Sequence, residues 1–176
     1  PQWRLVAATD SSGGVYTQDG SLDPAKLESF KKHGGRLINF EAGSRISNDD
    51  LISLDVDILI LAALGDSVTE HQMLDVKAEY ILELANGPVN EAAYDYLTSK
   101  KVVIIPDILA NAGGVIVSYL EWQQNTQHEQ WTEAVVNKKL DDYLVAATDE
   151  IHSRAKADET SLKEAAFALA IERVLT

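Results

Sequence analysis

Asn111, Gly113, Gly114 and Ser118 fall within one stretch, PDILANAGGVIVSYLEWQQN, residues Pro106 to Asn125. A helix beginning just after Asn111 brings Asn111, Gly114, Val115 and Ser118 onto one face by steps of three and four. The glycines remove side chains there and expose main-chain N–H groups at the positive end of the helix dipole, and Ser118 adds a hydroxyl one turn deeper. That set suits a carboxylate or a carboxamide. The same residues also suit a glycine turn into a core helix whose serine bonds its own backbone. The other faces carry Ile116, Val117, Tyr119, Leu120 and Trp122, which predicts a helix buried nearly all round.

Three further loops are rich in small or amide residues: DSSGG from Asp10, AALGDS from Ala62 and ANGP from Ala85. Asp10 closes a short apolar run, where a carboxylate either accepts from a ribose diol or opens an Asx-type turn. No Lys or Arg lies between Arg4 and Lys26 to meet a 2′-phosphate, so if Asp10 meets a ribose, NAD is the expected cofactor, with NADP as the alternative. The four histidines never stand at i,i+4, and Asp149 with His152 reads as a solvated helix face, so no metal site is expected. Asp49–Asp50 and Asp141–Asp142 read as helix-surface charge. There is no G-x-S-x-G, and none of the ten glycines forms a G-x-G, so the pyrophosphate fingerprint is missing.

The elements that must position these residues alternate. RLVAAT reads as a buried strand, and Asp23 before Pro24 starts a helix that Gly34 and Gly35 stop. A short helix follows Ser47. The run VDILILAAL, Val56 to Leu64, is a continuous apolar strand, and Thr69 with Gln72 marks a capping box for a helix after it. EYILEL, NEAAYDYLTSKK and VVIIPD then read as strand, helix and strand. Such alternation predicts an α/β fold with a doubly wound parallel sheet. The rest is helical, with Val136, Leu140, Leu144, Ala147 and Ile151 at helical spacing and Ser161 with Glu164 capping a last helix. The expected division is 1–130 for the sheet domain and 131–176 for a helical segment.

The 176 residues are enough for one domain with a core. A formal charge of −13 argues against a nucleic-acid partner, whose phosphates require clustered cations. No apolar run reaches the roughly 18 residues of a membrane span. The absence of cysteine excludes disulfides and thiolate chemistry. The first residue is Pro1, and the start has no signal-peptide layout, so a piece of something longer is expected.

The segments ATDSSGGVY, LDVDILILAAL, ELANGPV and IPDILANAGGVIVSYLEWQQN resemble the C-terminal, dinucleotide-binding half of the Glu/Leu/Phe/Val dehydrogenase family. The likeness covers essentially the whole chain, and the SYLEWQQN continuation is similar to the members that act on glutamate. The resemblance implies a Rossmann-like sheet, a cytoplasmic homo-oligomer, and NAD- or NADP-dependent deamination of L-glutamate to 2-oxoglutarate and ammonia. It puts Asp10 and Ser11 near the adenosine ribose, Ala62 and Ala63 near the nicotinamide half, and Asn86 and Asn111 near the nicotinamide and its ribose. Val115 and Ser118 would face the substrate, Ser118 bonding its γ-carboxylate. Two departures stand at Leu61, where the family commonly has proline, and at LGDS, which replaces a more typical EGQ.

The family's catalytic Lys and Asp belong to an N-terminal substrate domain, and its glycine-rich first strand–helix unit precedes the strand that here begins at Arg4. Neither is in this chain, so no catalytic residue is assigned and inactivity in isolation is expected. Loss of that first strand predicts that the RLVAAT and VDILIL strands close up or that another chain fills the gap, and that the final helices self-associate. The competing reading is a non-catalytic nucleotide-sensing or interaction module on the same sheet.

Overall fold

Residues 3–175 are described by a computed structural model. They divide into two compact units, one comprising the residues up to Val56 with Glu70–Ala78, the other Asp57–Thr69 with the residues from Glu79 onward. The C-terminal helices therefore belong to the same unit as the parallel sheet.

The first unit holds strands β1 (Ala7–Asp10), β2 (Gly13–Tyr16) and β3 (Ser44–Ile46), antiparallel in that order. This corrects the expectation that the first strand joins the parallel sheet. Ala7 pairs with Tyr16 and Asp10 with Gly13, so DSSGG is a hairpin rather than a strand-to-helix loop. The chain turns back because Asp10 Oδ1 accepts from the Ser12 main-chain N–H at 2.9 Å, and Gly13 takes φ +95°, a region open to glycine. Gly14 lies flat against β1, where a Cβ would overlap the Ala8 carbonyl and stand 2.6 Å from Thr9 Cα.

Helix α1 (Pro24–Lys32) starts as its residues dictate, with the Asp23 carboxylate accepting from Ala25 N at 2.9 Å. Asp23→Ala should cost about 1 kcal/mol, read as a lower urea midpoint. Helix α2 (Asn48–Ile52) carries a complete capping box between Ser47 and Asp50. Val15, Leu22, Leu27 and Leu37 form the core of this unit, with Phe30 and Phe40 edge-to-face at 5.3 Å beside it.

The second unit is built on β4 (Ile58–Leu61), β5 (Tyr80–Glu83) and β6 (Val103–Ile105), parallel and adjacent in that order, with helix α3 (Glu91–Ser99) between β5 and β6. The gap expected beside the VDILIL strand does not close, because β1 and β4 lie in different sheets and β4 ends its own. The helix expected after Thr69 is absent as well. Val68 N–H donates to the Pro88 carbonyl and its C=O accepts from Asn90, and the residues after Thr69 form turns, with Asp75 N–H donating to the Gln72 carbonyl.

After β6 come α4 (Asp107–Ala110), α5 (Gly113–Gln127), α6 (Glu133–Asp158) and α7 (Leu162–Leu175). The last helix has the Ser161–Glu164 capping box. Leu109, Ile151, Ala155, Ala165 and Ala166 form a core where α4, α6 and α7 meet, and Arg154 bonds Glu172 at 2.9 Å across α6 and α7. Helix α5 is not buried: of its residues only Leu120 is, while Val115 is 69% and Trp122 60% exposed. It packs against α6, which covers one side, and apolar composition alone does not specify what covers the others.

Candidate functional site

In a parallel sheet the strand ends are where helices and loops leave room for a ligand. Here main-chain bonds join the loops after β4 and β5, and side chains tie the loop after β6 to them. The Asp66 N–H donates to the Gly87 carbonyl at 2.9 Å, and Leu84 and Ala85 both donate to Leu61 O. Gly65 sits against Asn86, whose carbonyl would be 3.2 Å from an added Cβ. Exposed Ala62 and Ala63 open the first of these loops, Asn86 lies in the second and Asn111 closes the third. Asn111 Nδ2 donates to Asn86 Oδ1 at 2.7 Å.

That bond orients both amides. It leaves Asn111 Oδ1 as an acceptor beside the Asn86 Nδ2 donors, the complement of a carboxamide. Just beyond, Gly114 has nothing within 4 Å of the place of a Cβ, and Gly113 has only Leu140 at 3.9 Å. The protein's own packing therefore does not demand glycine at either position. Main chain left bare beside an oriented amide pair suits a flat polar group lying close to the backbone. Val115 and Ser118 follow on α5, both exposed, and the Ser118 hydroxyl donates to the Gly114 carbonyl at 3.0 Å. The serine thus bonds its own backbone, one of the two arrangements its spacing allowed.

Two residues that sequence reasoning passed over hold this rim. Glu83, the last residue of β5, is fully buried and accepts from the Asp107 N–H at 3.1 Å. The Asp107 carboxylate accepts in turn from the Gly87 N–H at 2.8 Å. Burial pushes the Glu83 carboxyl above its ordinary range; the Asp107 N–H opposes this, the Asp107 charge adds to it and Lys163 opposes it. The available signal was a carboxylate at the end of the apolar run YILEL.

Asp10 and Ser11 lie in the first unit. The Asp10 carboxylate accepts four bonds from the protein: Ser12 N at 2.9 Å, Ser12 Oγ at 2.5 Å, Lys31 Nζ at 2.5 Å and Leu37 N at 3.0 Å. Burial disfavours its charge, yet Lys31, Ser12 and Leu37 together hold it well below the usual carboxylate range. Lys31 supplies a cation that no residue near Asp10 in sequence provides. A depressed folded-state pKa adds stability that is complete above the unfolded value, about 4, and fades as pH falls below it. Urea midpoints of the parent and Asp10→Asn should therefore differ at neutral pH and converge on acidification. A constant difference down to about pH 2 would show that the charge contributes nothing.

Among the described residues no group of three or more His, Cys, Asp or Glu side chains converges as for a metal ion, and no helix is long and apolar enough to cross a membrane.

A family model described as Glutamate/Leucine/Phenylalanine/Valine dehydrogenase matches residues 2–176. The chain is 43% identical over 173 residues to NADP-specific glutamate dehydrogenase A1 of Halobacterium salinarum, covering 97% of this chain and 41% of that protein. It is 39% identical over 175 residues to the glutamate dehydrogenase of Aeropyrum pernix, covering 97% and 42%. The hetero-hexameric glutamate dehydrogenase of Thermus thermophilus, in its Leu-bound form, superposes with a TM-score of 0.86 at 30% identity, over 97% of this chain and 40% of that one. The chain thus spans about two fifths of the length of these relatives.

Proposed function

The chain belongs to the glutamate/leucine/phenylalanine/valine dehydrogenase family, and from that premise we propose that it is the cofactor-binding part of an enzyme that oxidatively deaminates L-glutamate to 2-oxoglutarate and ammonia with NAD or NADP. The observation that carries this reading is the amide pair of Asn86 and Asn111 beside the bare main chain of Gly113 and Gly114. When bound, the dinucleotide supplies the hydride acceptor for glutamate Cα; the chain's own work is to bind and orient.

In this reading Asn86 and Asn111 hold the nicotinamide carboxamide and ribose, and the small side chains of Ala62 and Ala63 let the nicotinamide half lie against the backbone. Val115 and Ser118 face the substrate. Ser118 serves the γ-carboxylate by turning its hydroxyl away from the Gly114 carbonyl, a rotation about one bond. Asp10 and Ser11 are assigned to the adenosine ribose. Lys31 beside Asp10 favours keeping NADP as an alternative, since an ammonium accommodates a 2′-phosphate. We assign no catalytic residue and no metal to the chain, and divide its roles between a partial dinucleotide-binding domain, 1–130, and a helical segment, 131–176. The whole is proposed as a cytoplasmic homo-oligomer in which a substrate domain completes the site; the 176 residues alone should bind without turnover.

The test is made on the full gene product that carries this sequence. Ser118→Ala should raise the KM for glutamate roughly tenfold, the loss of one hydrogen bond to a charged group, and leave the KM for the dinucleotide within about twofold. Equal effects on both would remove Ser118 from the substrate side. Absence of any change in NADH or NADPH fluorescence on mixing with the protein would overturn the cofactor reading itself.

A further inference from the structure

Glu83 is an expensive residue for its place. A buried carboxylate at the end of a core strand loses its hydration, and replacement by an apolar residue of similar volume commonly leaves a protein as stable or more so. Here Oε2 accepts from the Asp107 N–H, while Oε1 is buried with no hydrogen bond of good geometry and only the Val89 N–H near the carboxylate. The Tyr94 hydroxyl on α3 is likewise buried with no hydrogen bond of good geometry, near Ser161 and the Lys163 main chain, and the Lys163 ammonium of α7 lies 4.7 Å over its ring. Packing alone does not account for a charge kept under these terms.

The bonds that leave Glu83 lead to the rim. Its carboxylate sets the first N–H of α4, at Asp107. The Asp107 side chain crosses to the loop after β5 and takes the N–H of Gly87, which stands at φ +54° next to Asn86. Asn111 ends α4, and its amide closes the circuit on Asn86. A shift of the Asp107 main chain therefore moves one asparagine through α4 and the other through Gly87.

We infer that Glu83 is a positioning residue, a clamp that holds Asn86 and Asn111 in register for a dinucleotide through Asp107 and Gly87, while touching neither cofactor nor substrate. The clamp itself stands on geometry; its use rests on the cofactor reading above.

Two substitutions in the full gene product separate a clamp from packing. Glu83→Leu keeps the volume and removes the acceptor, whereas Glu83→Gln keeps an acceptor for the Asp107 N–H. The Leu variant should bind NADH and NADPH at least tenfold more weakly, and peptides covering 84–90 and 107–112 should exchange their amide hydrogens at least tenfold faster, with no fall in melting temperature. The Gln variant should restore both readouts to within about threefold of the parent. If Leu binds and exchanges like the parent, or Gln fails to restore what Leu loses, the clamp is wrong. If the parent binds neither dinucleotide, the cofactor reading fails and the exchange comparison alone decides the clamp. Should Glu83→Leu not fold, Glu83→Asp, one methylene shorter in reach, takes its place with the same expectations.

Discussion

Replacing Gly14 by alanine is expected to abolish the antiparallel sheet of the first unit. The added Cβ would overlap the Ala8 carbonyl and sit 2.6 Å from Thr9 Cα, and both obstacles are backbone of the strand that Gly14 pairs with. No rotamer change relieves a main-chain clash. Either β1 moves off β2, losing the bonds between Ala7–Asp10 and Gly13–Tyr16, or β2 twists and withdraws Val15 from the core it shares with Leu22, Leu27 and Leu37. Losing one buried valine costs about 2 kcal/mol and each ladder bond about 1 kcal/mol, so a total above roughly 4 kcal/mol is expected. Urea denaturation with amide exchange over residues 7–16 measures it. A midpoint within experimental error of the parent would mean that the hairpin is not paired as described.

Replacing Gly114 by leucine should do the reverse, sparing the fold and removing function. Nothing lies within 4 Å of the added Cβ, and removing a glycine from the first turn of α5 lowers the backbone entropy lost on folding, by less than the roughly 1 kcal/mol of a helix interior. The variant should melt no lower than the parent. A leucine side chain would, however, stand in the space left bare beside Asn111 and Ser118, and affinity for the dinucleotide or for glutamate should fall at least tenfold, about 1.4 kcal/mol or more. Parallel melting and fluorescence titrations on the full gene product read both quantities. Unchanged binding would remove the reason offered here for two glycines at the head of α5.

What was legible in the sequence was local. Asp23 before Pro24 and Ser161 with Glu164 each cap a helix within four residues, and both do so in the structure, where Asp50, read as surface charge, also closes a capping box with Ser47. The three parallel strands were legible because burial on both faces leaves continuous apolar runs. The hairpin at Ser11–Ser12 was not. An Asx turn at Asp10 and a positive-φ glycine serve a hairpin and a strand-to-helix loop alike, and the third strand, where Val15 pairs with Arg45, lies at a separation that no periodicity encodes. The Thr69–Gln72 signature was followed by turns and not by a helix, since a capping box is a local preference that does not by itself carry a helix forward. In the candidate site, Asn86 and Asn111 could be singled out as amides at strand ends, but not their mutual bond. Glu83 stood out in the sequence only as a carboxylate ending the apolar run YILEL, since its meaning lies in Asp107, on another element, and Lys31 reaches Asp10 only once α1 has folded.

The loops after β4 and β5 are sewn to one another by peptide atoms, through Asp66 to Gly87, Val68 to Pro88 and Asn90, and Leu84 and Ala85 to Leu61, while the loop after β6 is held by the side chains of Asp107 and Asn111. Such a seam is indifferent to most side chains projecting from it. Under the proposed assignment of Val115 and Ser118 to the substrate, substitutions there on α5 leave these bonds untouched. On that assignment, a family whose name spans four amino acids of very different polarity would have a means of changing the side chain it accepts while leaving the main-chain seam in place.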